Sequence, residues 1–224
     1  MSRTAVYTGL VLRSRQSGES NNEVTLLTAE EGIIKATVFG GAKSKLRAHC
    51  APYNSGQVWI YKDKAKDYAK LSDFDVQIWR AGLRELYERT MTSSAIAETI
   101  LSSHGGGGDW GTALKMAVET LDALENANEE LCGRLLIHFL WRWAGFLGIQ
   151  PYIDDDASAD CEAHTEYGLV LNPGSRKWLS LVGGLEPSQL HRFSMDNKSF
   201  DETKALATAV LTGTLGKRLA SWNF

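Results

Sequence analysis

Few residues of this chain have the types and spacing that covalent catalysis requires. No Gly-x-Ser-x-Gly nucleophile motif and no His-Glu-x-x-His metal motif occurs in the sequence. The glycine run Gly105–Gly108 lacks the Lys-Ser/Thr ending of a phosphate-binding loop. One alternative function is a hydrolase or transferase with an accessory barrel, and the missing nucleophile and base argue against it. We therefore expect no catalytic residues and no enzymatic activity.

Metal-ligating residues form at most half a site. Cys161 and His164 have the spacing of one ligand pair of a zinc site, but a structural zinc needs a second pair, and His191 stands alone. The acidic run Asp154–Asp156 follows the helix-ending Pro151, a context typical of a solvated loop. The sequence therefore predicts no cofactor and no bound metal.

Basic residues are concentrated in the first third of the chain. Residues 1–80 hold 12 Lys and Arg against 8 Asp and Glu, whereas residues 81–224 hold 12 against 19. Lysines meet phosphates as point charges, and aromatic rings stack on unpaired bases. Alternatively, these lysines solvate a strand edge and block edge-to-edge pairing. The candidate DNA-binding residues are Lys35, Phe39, Lys43, Lys45, Arg47, Tyr61, Lys62, Lys64 and Lys66.

Short strand-like segments must position these residues. Turn signals such as Ser17-Gly18 and Asn54-Ser55-Gly56 separate the segments, and the connections are too short for helical crossovers. The pattern predicts an antiparallel β-barrel of the OB-fold type over residues 1–80. Its expected strands are Val6–Leu12, Glu23–Leu27, Ile33–Phe39, Gln57–Tyr61, Tyr68–Leu71 and Asp73–Trp79.

The hydrophobic period changes to a helical one after Ala81. The segment Glu129–Gly148 is apolar on most sides, which predicts a central, buried helix that Pro151 ends. We expect residues 152–184 to be irregular, and further helices over Ser199–Leu211 and Thr214–Trp222. The predicted fold class is α+β, with an all-helical domain over residues 81–224.

Composition limits the class of protein. No apolar run approaches the roughly 20 residues of a membrane-spanning helix, and the first residues lack the apolar core of a signal peptide. Three cysteines are too few for a disulfide framework, which is typical of a reducing compartment. We expect a cytoplasmic, nucleoid-associated protein without a membrane partner.

Several motifs follow one another along nearly the whole chain. They are Gly9–Arg15, Gly18–Asn22, Val24–Gly32, Gly40–Lys45, Pro52, Phe146–Pro151 and Leu215–Ser221. Together these motifs resemble the RecO family of bacterial recombination mediators. The N-terminal part is similar to that family's strand–turn–strand pattern with a following Gly-Ala-basic motif, and Leu147-Gly148-Ile149-Gln150-Pro151 is similar to its helix ending.

The resemblance implies an OB domain followed by a helical domain, and binding and annealing of single- and double-stranded DNA. It also implies association with RecR and with the acidic C-terminal tail of single-strand binding protein, and thereby RecA loading in recombinational repair. Family members often carry a four-cysteine zinc element after the position of Pro151. Only Cys161 and His164 remain here, so the resemblance favours a zinc-free variant with a degenerate element.

An acidic tail that ends in an apolar residue needs a hydrophobic slot rimmed by cations. The candidates for this site are Arg134, Arg142, Lys217 and Arg218, which could equally be solvated cations on helix surfaces. An alternative function is an OB adaptor that binds only protein. Salt-sensitive DNA binding separates the mediator from the adaptor.

Overall fold

A computed structural model describes residues 4–41, 44–63, 65, 67–153 and 162–222. The chain divides into two compact units. The first comprises the chain up to Ala81 together with Ser103–Leu121, and the second comprises Gly82–Ser102 and the chain from Asp122 onward. This division differs from the predicted helical domain over residues 81–224, because residues 103–121 group with the barrel. Gly105 (φ +74°) lies against Ile33 and Leu27 of the barrel, an approach that a side chain would obstruct.

The first unit contains a closed barrel, which confirms the predicted fold class. Its strands follow the order β1-β2-β3-β5-β4, and a short helix, α1, joins β3 to β4. All neighbouring strands are antiparallel except β3 and β5, which pair in parallel at Thr37 and Lys70 and so close the barrel. The bounds are β1 Thr4–Ser17, β2 Asn21–Thr28, β3 Gly32–Val38, α1 Lys45–His49, β4 Ser55–Asp63 and β5 Tyr68–Ile78.

Alternation along the strands builds the barrel core. Val24, Leu26, Ile34 and Ala36 are buried inside, and the residues between them on β3 are half-buried or exposed. A bulge explains why β5 resembles two strands in the sequence. Trp59 pairs with Asp73 while Ile60 pairs with Leu71, so Ser72 is an extra residue that interrupts the alternation.

The second unit is built around one long helix. Its helices include α2 (Tyr87–Ser102) and α4 (Glu129–Phe146). Helix α3 (Trp110–Leu124) lies between them in the sequence, but it belongs to the first unit as far as Leu121. Helix α4 packs against α2 and α6 (Asn197–Leu215), and Leu135, Phe139 and Trp143 are among its buried residues. The central helix predicted from the sequence is confirmed. No helix in the described part of the chain is long and apolar enough to cross a membrane.

The segment predicted to be irregular, residues 152–184, contains regular structure in its described part. Two short strands, β6 (Ala163–His164) and β7 (Val170–Leu171), pair and lead into helix α5 (Pro173–Val182). The Asn172 side chain caps α5 by accepting a hydrogen bond from the Ser175 amide at 2.8 Å, and Pro173 occupies the first turn. The expectation of irregular chain is therefore wrong for this helix.

Candidate nucleic-acid interface

The outer surface of β1, β2 and β3 carries a set of exposed cations. Arg13 lies opposite Thr25, which lies opposite Lys35, so two cations flank one threonine across three strands. One step along, Arg15, Glu23 and Thr37 form the next row, and Lys70 of β5 pairs with Thr37. We name this surface the basic face, and its members are Arg13, Arg15, Lys35, Phe39 and Lys70.

The basic face owes its direction to strand alternation and to a bulge in β1. Because Ile34, Ala36 and Val38 are buried, Lys35 between them must point outward. The register of β1 against β2 shifts between Val11 and Arg13, and beyond this shift Arg13 and Arg15 are both exposed. The set of candidates from the sequence lacks Arg13, Arg15 and Lys70. The alternating Arg-x-Arg at the end of β1 is the signal that could have identified the two arginines.

Aromatic rings border Lys70. Its ammonium lies 5.3 Å from the centre of the Phe39 ring, a cation–π contact, and Phe39 is 45% exposed. Tyr61 of β4 pairs with Lys70 in the β4–β5 ladder and is half-buried. The structure thus brings Phe39 and Tyr61, which were predicted to stack on bases, to either side of one cation.

Two of the cations are engaged by carboxylates. Arg15 forms an ion pair with Glu23 at 2.7 Å, and both side chains are partly exposed, so the pair adds little stability and phosphate can compete for the guanidinium. Lys62 forms an ion pair with Glu31 and lies over the ring of Tyr7 at 5.0 Å. Tyr7 in turn donates a hydrogen bond to Glu31 at 2.8 Å.

The Lys62 cluster is an internal contact between strands. Burial opposes the charge of Lys62, but its contacts with Glu31 and Tyr7 outweigh burial and raise the pKa of Lys62 above its ordinary value. Burial, aided by the hydrogen bond to Glu31, also raises the pKa of Tyr7. Lys62 stays charged, but its charge is balanced within the barrel, which makes it a weaker candidate for phosphate than Lys35.

A groove of about 500 Å³ lies beside the basic face. Its lining includes Lys35, Lys62 and Tyr68, together with the carboxylates of Glu31, Asp63 and Asp67. Three acids beside two lysines make this groove a poor site for a phosphate chain. The exposed cations Arg13, Arg15 and Lys70, which do not line this groove, are better candidates.

The remaining barrel candidates lie between β3 and β4 and after β4. Lys45 is exposed on α1, and Arg47 is half-buried there. Lys43, Lys64 and Lys66 lie outside the described residues, so their predicted role in DNA binding stays a prediction.

In the helical unit, the candidate tail-binding cations have different surroundings. Arg134 is buried, donates a hydrogen bond to the Phe193 carbonyl and pairs with Glu130 at 3.4 Å. These contacts commit its guanidinium to packing, so it is a poor ligand for a partner. Arg142 is half-buried, whereas Lys217 and Arg218 are exposed beyond the end of α6.

Arg218 lines a cavity of about 660 Å³ in this unit. Its apolar lining comes from residues such as Leu169 and Ala205, and its polar lining includes Lys204, Asp201 and Thr208. Burial lowers the pKa of Lys204, the nearby Arg218 lowers it further, and Asp201 opposes the shift. The cavity is an apolar slot with two cations, and Lys204 is a residue that the sequence patterns did not single out.

No group of three or more potential metal ligands forms among the residues that the structure describes. His164 lies on β6, and Cys161 is outside the described part of the chain. The expectation of a zinc-free protein therefore stays a prediction.

Comparison with known proteins supports the resemblance noted above. Residues 1–77 match the family model described as recombination protein O N terminal. The chain is similar to "DNA repair protein RecO" of Gloeothece citriformis, with 34% identity over 104 residues that cover 46% of this chain and 36% of the relative. It is also similar to the proteins of the same name in Acaryochloris marina (27% over 155 residues, 68% of this chain and 52% of the relative) and Rubrobacter xylanophilus (26% over 155 residues, 68% and 60%). These matches span from about a third to three fifths of the relatives' length.

Proposed function

We propose that this chain is a non-enzymatic recombination mediator of the RecO type that acts in DNA repair, since residues 1–77 match that family's N-terminal model and longer segments are similar to RecO proteins. It binds single- and double-stranded DNA and anneals complementary strands. With RecR and single-strand binding protein, it helps to load RecA. The association with RecR and the effect on RecA rest on the family alone.

The observation that carries the proposal is the basic face of the barrel. OB-folds bind oligonucleotides across the surface of their second and third strands and the adjacent loops. In this chain that surface holds Lys35 on β3, Arg13 opposite it through Thr25, and Lys70 beside the exposed ring of Phe39. Cations hold the phosphates, and the aromatic ring supplies a stacking surface for a base.

Annealing requires no covalent step on this surface. Two complementary strands repel each other through their phosphates, and base pairing supplies the driving force once they lie close together. A basic face lowers the repulsion and raises the local concentration of both strands. This account agrees with the absence of a nucleophile–base motif in the sequence.

The cavity beside Arg218 suits the tail of single-strand binding protein. At about 660 Å³ it falls within the range of small-ligand sites, and Leu169 and Ala205 can contact an apolar end residue. Lys204 and Arg218 can pair with the acidic groups that precede it. Of the candidates predicted for this contact, only Arg218 lines the cavity.

DNA binding is tested by fluorescence anisotropy of a labelled oligonucleotide at several salt concentrations. Binding by counterion release weakens steeply with salt, and each lost phosphate contact lowers the slope of log K against log salt by about one. We expect the variant Arg13→Gln/Lys35→Gln/Lys70→Gln to lower this slope by about three. The matched control neutralises Lys115, Lys177 and Lys198, which are exposed residues outside the basic face. No binding at low salt would leave the protein-binding adaptor as the function.

Tail binding is tested with a labelled acidic peptide that ends in an apolar residue. Reversing the charge of Arg218 should weaken binding at least tenfold, since a cation that pairs with the peptide becomes a repelling anion. The corresponding change at Lys217, which is exposed but does not line the cavity, is the control. Equal loss in both variants would show that general charge, and not the cavity, attracts the peptide.

A further inference from the structure

Trp79 is a large aromatic residue held exposed at the end of the barrel. Its side chain is 51% exposed directly after β5. The residues on both sides of it are anchored, because Ile78 pairs with Ser55 in the sheet and Arg80 is buried. The Arg80 guanidinium donates hydrogen bonds to the Tyr53 carbonyl at 2.5 Å and to the Ser55 hydroxyl at 3.0 Å. The backbone therefore fixes an indole in solvent, where it gains little from burial.

His49 fixes the indole further. The two rings form an edge-to-face contact with their centres 5.4 Å apart. His49 is itself held by the Phe74 carbonyl, which lies 2.8 Å from Nδ1 and so requires a proton on that nitrogen. The Asn54 side chain donates a hydrogen bond to the His49 carbonyl at 3.0 Å. Hydrogen bonds therefore hold both His49 and the chain segment that carries Trp79, so the two rings keep their relative position without a ligand.

Cations lie on the same short helix as His49. Lys45 precedes His49 by four residues on α1, so the two side chains occupy the same face of the helix. Arg47 is two residues from each of them, so it lies on another face of the helix, and it is half-buried. An exposed indole beside a helix face that carries a lysine has the two elements that bind unpaired nucleotides, a stacking surface and a charge for the phosphate.

We propose that Trp79, supported by His49, is a stacking site for one unpaired nucleobase, and that Lys45 holds the adjacent phosphate. This inference rests on the proposed DNA binding and adds to it a residue outside the basic face. A base in a duplex has both of its faces covered by neighbouring base pairs and cannot stack on the indole. Trp79 therefore favours single strands over duplex DNA.

The test compares Trp79→Ala with the unchanged chain on a labelled oligothymidine and on a duplex of equal length. Loss of one stacked base should weaken single-strand binding about tenfold. Duplex binding should change less than about twofold, and the salt dependence should keep its slope because no charge is removed. Trp79→Phe keeps a stacking ring and should restore most of the affinity. The control Tyr152→Ala removes another aromatic residue, 87% exposed, from outside the proposed site.

The outcomes separate the two proposals. If the unchanged protein binds neither DNA, the proposed function fails. If it binds DNA and Trp79→Ala binds the single strand equally well, the stacking site fails while DNA binding stands, and the exposed indole belongs to a protein contact. Equal loss for single strand and duplex also overturns the stacking site, since that result indicates a change in the barrel. A thermal melt of each variant accompanies the binding measurements.

Discussion

We predict that the buried His138 makes the protein less stable in acid. The side chain is fully buried on α4, and its Nε2 lies 3.1 Å from the Leu185 carbonyl, which therefore accepts a hydrogen bond from it. Among the described residues, Nδ1 has no hydrogen-bond partner. Burial, together with the nearby charge of Arg142, lowers the pKa of His138 to about 4, and hydrogen bonds to backbone carbonyls only partly oppose this.

The size of the effect follows from the two pKa values. In the unfolded chain the imidazole has an ordinary pKa of about 6.5, so between pH 6.5 and 4 the unfolded state binds more protons than the folded one. The free energy of unfolding therefore falls as the pH falls through this window. The loss due to His138 is about 2 kcal/mol at pH 5 and about 3 kcal/mol at pH 4, relative to pH 7.5.

The assay is urea unfolding followed by circular dichroism at 222 nm, at several pH values from 7.5 to 4. Comparison with His138→Gln cancels the titration of all other groups, and a constant offset between the two proteins does not matter. The two curves of unfolding free energy against pH should diverge, with the unchanged protein losing more. Parallel curves would refute the argument that burial keeps His138 neutral.

Other contacts give further predictions. Gly32→Ala should lower the free energy of unfolding by about 2 kcal/mol in a thermal melt, because φ is +68° and a Cβ would lie 2.6 Å from the Trp110 ring. Gly18→Ala is the control: its φ is +73° but the space around it is open, so it should lower the free energy of unfolding by about 1 kcal/mol. Arg80→Met should lower the free energy of unfolding by about 2 kcal/mol, since it leaves the Tyr53 carbonyl and Ser55 hydroxyl without this donor, and an unchanged urea midpoint would contradict that. Burial raises the pKa of Cys50 to about 12 and that of Cys132 to about 11, so mass spectrometry should find both unmodified by iodoacetamide at pH 8 in the folded protein and modified in urea.

Local pattern was sufficient for most of the fold. The barrel strands and the central helix follow from alternation and helical spacing, which are properties of neighbouring residues. Helix α5 has only ten residues, and the sequence pattern missed it although Trp178, Leu179 and Val182 have the spacing of one helix face and Asn172-Pro173 is a strong helix start. The grouping of residues 103–121 with the barrel was also not predictable, since it depends on contacts between Gly105 and residues over 70 positions away.

The candidate site was less predictable than the fold because charge is balanced between distant residues. From the sequence alone, Lys35 and Lys62 are two lysines of the predicted barrel that cannot be told apart. In the folded chain Lys62 pairs with Glu31, which lies 31 positions earlier, whereas Lys35 points outward on the basic face. Arg134 and Arg218 also look alike in the sequence, but Arg134 is committed to the Phe193 carbonyl, whereas Arg218 lines a cavity. Which cation is available to a partner is a property of the register and of the packing.

The register also explains why a polyanion should avoid the outer surface around the middle of β4 and β5. In the β4–β5 pair, Asp73 of β5 lies opposite Trp59 of β4, and Asp75 of β5 lies opposite Gln57 of β4. Both aspartates are exposed, so their charges repel phosphates approaching β4 and β5. A strand that binds through Arg13 and Lys35 is therefore directed along β1, β2 and β3, with Phe39 and Lys70 at the border of its path. The distribution of charge around the barrel, more than the number of lysines in the sequence, determines where DNA can lie.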